Sequence, residues 1–166
     1  MKLRKNLCLL AAAFSAAALQ AQQLPLDPLV RRGTLPNGLT YYIAHNAQTP
    51  QVADFYIAQR VGSILEEPRQ RGLAHFLEHM AFNGSKHFPI VKWCESVGIK
   101  FGANLNAYTS VEQTVYNISS APVVREGVVD TCLLILSDWS HDLNLSPEEI
   151  DKERGVVREE WRTRRA

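Results

Sequence analysis

The chain has 166 residues, the size of one ordinary domain. Its 18 basic and 17 acidic side chains leave a net charge of +1, and 46% of the residues are hydrophobic. This globular composition excludes the cationic footprint of a nucleic-acid binder or a membrane-surface protein.

The first residues read as a targeting segment. Lys2, Arg4 and Lys5 form a positive start, Leu7 to Leu19 is apolar and alanine-rich, and Leu19-Gln20-Ala21 ends on a small residue. The pattern predicts a secretory signal peptide over 1–21, which implies a periplasmic or secreted protein. The apolar run is too short for a membrane-spanning helix, so no span is expected once the signal is removed. Residues 22–34 are rich in Gln, Pro and Leu and read as an extended lead-in. Residues 35–166 are then the domain proper.

Pro36-Asn37-Gly38 signals a turn. Leu39 to His45 and Val52 to Gln59 are rich in strand formers, and the short loop between them predicts an antiparallel pair. His45, alone at a strand end, reads as a surface residue. A loop through Gly62 and Pro68 then leads into a helix closed by Asn83-Gly84.

That helix carries His75-Phe76-Leu77-Glu78-His79. Positions i, i+3 and i+4 fall on one helix face, so His75, Glu78 and His79 point the same way. Two imidazoles at this spacing can bind one Zn²⁺, and the adjacent carboxylate can serve as a base for water. The order is the inverted HxxEH arrangement. A solvated helix face would present the same three residues. Against that stand the interleaved apolar residues Leu73, Ala74, Phe76, Leu77, Met80 and Phe82, which give the helix a packed side.

Pro89 to Val97, with Pro at its start and Gly98 after its end, reads as a short helix. His87 lies past the Asn83-Gly84 break and off the face of the metal-competent trio, so it is set aside as a ligand. Lys100 to Thr109 and Thr114 to Ser119 read as strands, and Pro122 to Leu143 as a long helix. The apolar face of that helix would use Val123, Val124, Val128, Val129, Leu133, Leu134 and Leu136. Ser146-Pro147-Glu148-Glu149 starts a last helix: Ser as cap, Pro first, Glu three residues after the cap. Cys94 and Cys132 fall on predicted helices and read as buried small apolar residues; export also permits a disulfide between them.

A catalytic zinc needs a third protein ligand. The last helix offers Glu153, Glu159 and Glu160. Glu153 and Glu160 lie seven apart, two turns, and share a face, whereas Glu159 is rotated by about 100°.

Three separated stretches, RGLAHFLEHMAFNGSKHF, GIKFGANLNAYTSVEQTVYNIS and DKERGVVREEW, together resemble the insulinase (pitrilysin-type) family of zinc metallopeptidases, the secreted bacterial members above all. The resemblance runs from about Leu35 to the last residue. It implies His75 and His79 as zinc ligands, Glu78 as general base, Glu160 as third ligand and Glu153 as supporting carboxylate. A longer interval from His79 than the family usually has keeps Glu159 beside Glu160 as the alternative. It also implies that Asn106-Ala107 lies on an edge strand where a peptide substrate adds as a further strand. The cofactor would be one Zn²⁺ per chain and the reaction peptide-bond hydrolysis.

The predicted order gives an α+β fold, an antiparallel sheet with helices packed on one face, as in the mitochondrial processing peptidase and insulinase-like domain. The chain stops within a predicted helix, which reads as the N-terminal piece of a longer protease. A C-terminal half or second subunit would then complete the active site. The reading from a different class is a non-catalytic peptide-binding partner, or a chain that takes up zinc without hydrolysis.

Overall fold

The structure is a computed structural model describing residues 25–87 and 89–164. The predicted signal peptide lies outside the described residues. Two compact units divide between Ala47 and Gln48.

The first unit contains a hairpin. Strands β1 (Val30–Thr34) and β2 (Thr40–Ala44) pair antiparallel, with Val30 opposite Ala44 and Thr34 opposite Thr40. The turn is held by Leu35 N donating to Leu39 O (2.8 Å) and Leu39 N donating to Asn37 Oδ1 (3.1 Å). Gly38 takes a φ of 87°, which a side chain would resist. Two expectations change here. Part of the extended lead-in is a strand, and β2 pairs with it rather than with the strand that follows. Asn-Gly is a hairpin signal that calls for a strand on each side, and the shorter loop wins the pairing.

The second unit is built on a three-stranded antiparallel sheet in the order β3-β5-β4, with β3 at Val52–Gln59, β4 at Leu105–Thr109 and β5 at Thr114–Pro122. Among the described residues four α-helices accompany it: α1 (Leu73–Met80), α2 (Ile90–Ser96), α3 (Val128–His141) and α4 (Pro147–Thr163). This is the expected α+β fold. Tyr116 of the central strand stacks on Trp139 of α3 with ring centroids 5.2 Å apart, and Phe82, just past α1, meets both rings. Ile90, Cys94, Leu105, Ile118, Cys132 and Ile135 complete the same buried cluster. Trp139 satisfies its indole N–H on Ala81 O at 3.1 Å, which ties α3 to the end of α1.

Two element boundaries differ from the expected ones. Residues 100–104 form a turn, with Asn104 N and Leu105 N both donating to Lys100 O, so β4 starts only at Leu105. The chain from Pro122 to Gly127 is not helical: β5 runs through Pro122, and Val123 N adds a bond to Gln51 O (3.1 Å). Gly127, at φ 77°, then turns into α3. The buried stripe of α3 is Val128, Cys132, Ile135 and Trp139, one face at i, i+4, i+7 and i+11, while Val129, Leu133 and Leu134 are exposed.

Cys94 and Cys132 are free and wholly buried. Burial pushes the Cys94 thiol up to about 12 and the Cys132 thiol up to about 11, so both stay protonated and act as core residues. His87 is held by Asp138 of α3, its Nδ1 lying 2.7 Å from Oδ1. Burial alone would raise the Asp138 carboxyl, but hydrogen bonds from Ser85 and His87 outweigh it and hold the group below its ordinary value. The segment after α1 is thereby anchored on α3.

Candidate metal centre

The loop before α1 sets that helix in place. Helix α1 lacks a side-chain cap of its own, and Glu66 supplies one from seven residues upstream of Leu73: its carboxylate accepts Gly72 N (2.8 Å) and Ala74 N (2.9 Å). The loop is in turn stitched to the β4–β5 turn, with Ser63 N donating to Ser110 O and Ile64 N to Val111 O. Gly62 makes this approach feasible, since a Cβ there would stand 2.5 Å from Val111 O. At the other end of the unit, Ser146 caps α4 by accepting Glu149 N, with Pro147 in the first turn as expected.

Helices α1 and α4 pack together and bring His75, His79 and Glu160 to one point. His79 Nε2 lies 3.2 Å from His75 Nε2 and 3.1 Å from Glu160 Oε2, and His75 Nε2 lies 3.5 Å from the same oxygen. A tetrahedral zinc with bonds of about 2.0–2.1 Å spaces its ligands about 3.3 Å apart. The triangle therefore fits the ion. Among the described residues, this is the group of histidine, cysteine and carboxylate side chains close enough to share a metal.

The outer contacts support the same assignment of lone pairs. His79 Nδ1 donates to Glu153 Oε1 at 2.8 Å, which leaves Nε2 free to ligate. Glu153 is 8% exposed, and its second oxygen accepts Asn83 Nδ2 at 2.9 Å. Glu160 Oε1 meets the Arg164 guanidinium, so each oxygen of that carboxylate has a distinct contact. Glu159 lies elsewhere: its side chain is 65% exposed and paired with Arg162 at 3.1 Å. Of the two alternatives for the third position, Glu160 is the one that faces the histidines.

Glu78 is 9% exposed and stands outside the triangle. Its Oε2 accepts the Thr109 hydroxyl at 2.5 Å. Asn106 and Ala107 lie in β4, which pairs only with β5 among the described strands and so has one open edge. The Asn106 side chain is exposed and folds onto its own strand, Oδ1 accepting Ala107 N at 2.9 Å.

Thr109, Asn83 and Glu66 escaped the sequence reading. Glu66 had a usable signal, an acidic residue just ahead of a helix whose preceding residue is Gly. Thr109 and Asn83 reach their partners only through tertiary packing.

The model of the insulinase family, peptidase family M16, matches residues 41–165. "Probable zinc protease PqqL" of Escherichia coli K12 is 38% identical over 165 residues, 95% of this chain and 18% of that protein. The Haemophilus influenzae protein of the same name is 34% identical over 171 residues, 98% of this chain and again 18% of the relative. The crystal structure of the first half of the periplasmic protease PqqL from Escherichia coli superposes with a TM-score of 0.80 at 39% identity, over 84% of this chain and 30% of that one. This chain thus spans about a fifth of the length of the curated relatives it matches. Among the described residues no helix is long and apolar enough to cross a membrane. The matched family model covers most of the chain, and the chain belongs to the insulinase family of peptidases.

Proposed function

We propose that this chain is the metal-holding part of a zinc metalloendopeptidase that hydrolyses peptide bonds in peptides or unfolded protein segments. His75, His79 and Glu160 are its ligands, Glu78 its general base and Glu153 the support for His79. The observation that carries this reading is the convergence of three ligand atoms from two helices 3.1–3.5 Å apart, with a buried carboxylate beside them.

Zinc held there supplies Lewis acidity, polarising a carbonyl and bringing the pKa of water toward about 7. Glu78 takes one proton from the attacking water and hands it to the leaving amine as the C–N bond breaks. Glu153 fixes the His79 ring so that Nε2 faces the ion. The edge of β4 away from β5 at Asn106-Ala107 offers backbone groups to an extended substrate once Asn106 Oδ1 releases Ala107 N, which gives affinity with little dependence on side chains.

Relatives of much greater length support a further element of the proposal. A C-terminal half or second subunit supplies the rest of the substrate cavity. The N-terminal pattern and the periplasmic relative support export to the periplasm.

The test is peptide cleavage by the chain assembled with that second half. Cleavage should stop when a chelator strips the metal and return on adding about one zinc per chain. Cleavage that survives complete removal of metal contradicts the proposal. Peptide binding without hydrolysis at full zinc loading would favour the non-catalytic partner instead.

A further inference from the structure

The residue in contact with the proposed base is Thr109, the last of β4, half-buried and opposite Thr114 of β5. Its hydroxyl donates to Glu78 Oε2 at 2.5 Å. Thr114, 2% exposed, donates its own proton to Val61 O at 2.9 Å and lies 3.3 Å from the Thr109 oxygen. The Thr114 proton is therefore spent on the carbonyl. The Thr109 proton goes to the nearer and charged acceptor, because hydrogen bonds to ionised oxygens are the stronger ones. Among the described residues, the other Glu78 oxygen, Oε1, has no side-chain or backbone donor.

A flexible glutamate on a two-turn helix has three side-chain torsions to fix, and its helix supplies none of the bonds that would fix them. The tie comes from across the unit, from the same β4–β5 hairpin that is stitched to the loop before α1.

We propose that Thr109 is a positioning residue for Glu78. It holds Oε2 so that Oε1 is the oxygen that takes the proton from water. The proposal rests on the reading of Glu78 as general base. It makes the geometry of the base a property of the sheet, at the end of the strand proposed to receive the substrate.

The test compares Thr109→Val, which keeps the shape and loses the donor, with Thr109→Ser, which keeps the donor. Both are made in the zinc-loaded chain assembled with its second half. In the valine variant kcat should fall about tenfold to a hundredfold, a share of the roughly 10²–10⁴ that a general base contributes. KM should stay within about twofold, the signature of an interaction made in the transition state. Zinc per chain should not change, and serine should restore most of the rate. A second readout needs no catalysis: ¹³C relaxation of the Glu78 Cγ in the zinc-loaded chain should show one ordered rotamer in wild type and serine variant, and several in the valine variant. Wild-type kcat with valine, equal losses with valine and serine, or an equally ordered Glu78 in all three proteins would overturn the proposal. If the assembled wild-type protein cleaves no peptide, the peptidase reading falls, and the ¹³C measurement still decides the role of Thr109.

Discussion

Glu78→Gln is expected to keep its zinc and lose most of its rate. Glutamine has the shape of glutamate, and its amide oxygen can still accept the Thr109 hydroxyl, so the buried site stays filled and bonded. Glu78 stands outside the triangle of ligand atoms, so the affinity for metal has no reason to fall. What goes is the proton acceptor, because an amide does not take a proton from water at neutral pH. The loss should reach about 10²–10⁴ in kcat, the range of general acid–base catalysis. KM should hold, since the missing interaction belongs to the transition state. Steady-state kinetics beside metal analysis separates the two quantities. A glutamine variant that cleaves as fast as wild type would remove Glu78 from the mechanism.

Glu160→Ala should be the substitution that empties the site, and Glu159→Ala should leave it intact. The two residues are adjacent in sequence but a rotation of about 100° sends them to different surroundings. Glu160 Oε2 closes the triangle with both imidazoles. Its removal leaves two nitrogens, and two ligands do not hold zinc against water as three do. Glu159 makes one exposed pair with Arg162, a contact of the kind worth about 0–1 kcal/mol. Glu153→Gln should fall between them, weakening zinc by the roughly 10–100-fold that loss of a supporting partner costs. The Glu160 variant should lose more than that. Competition titration against a chromophoric zinc chelator ranks all three. A Glu159 variant that binds zinc more weakly than the Glu160 variant would remove Glu160 from the ligand set.

The parts of the site that were legible in the sequence are those a single helix fixes. His75, Glu78 and His79 share a face because 3.6 residues make a turn, and the seven-residue step from Glu153 to Glu160 is two turns by the same rule. These relations hold wherever the helices lie. The contact between α1 and α4 needed the family's motif order, because nothing within either helix specifies it.

The failures have physical causes. Val123 and Val124 are β-branched, which suits extended chain as well as a helix; Pro122 ends β5, and Val123 N bonds Gln51 O before the chain turns toward α3. Leu133 and Leu134 look like core in a list of apolar residues, yet the sheet meets the Cys132–Ile135 side of the helix. The pairing of β2 with β1 turned on crediting the lead-in with a strand. Thr109 was recognised as a strand residue without a role, since a hydroxyl gains one only when packing sets it against a carboxylate thirty-one positions away in the chain.

The measurement that bears most directly on the account is zinc K-edge X-ray absorption on the purified chain, with metal per chain determined on the same sample. About one zinc is expected, four-coordinate, with only nitrogen and oxygen neighbours at about 2.0–2.2 Å and the outer-shell signature of two imidazoles. A sulfur shell at about 2.3 Å, which would bring Cys94 or Cys132 to the metal, or a folded chain that takes up no zinc, would contradict it.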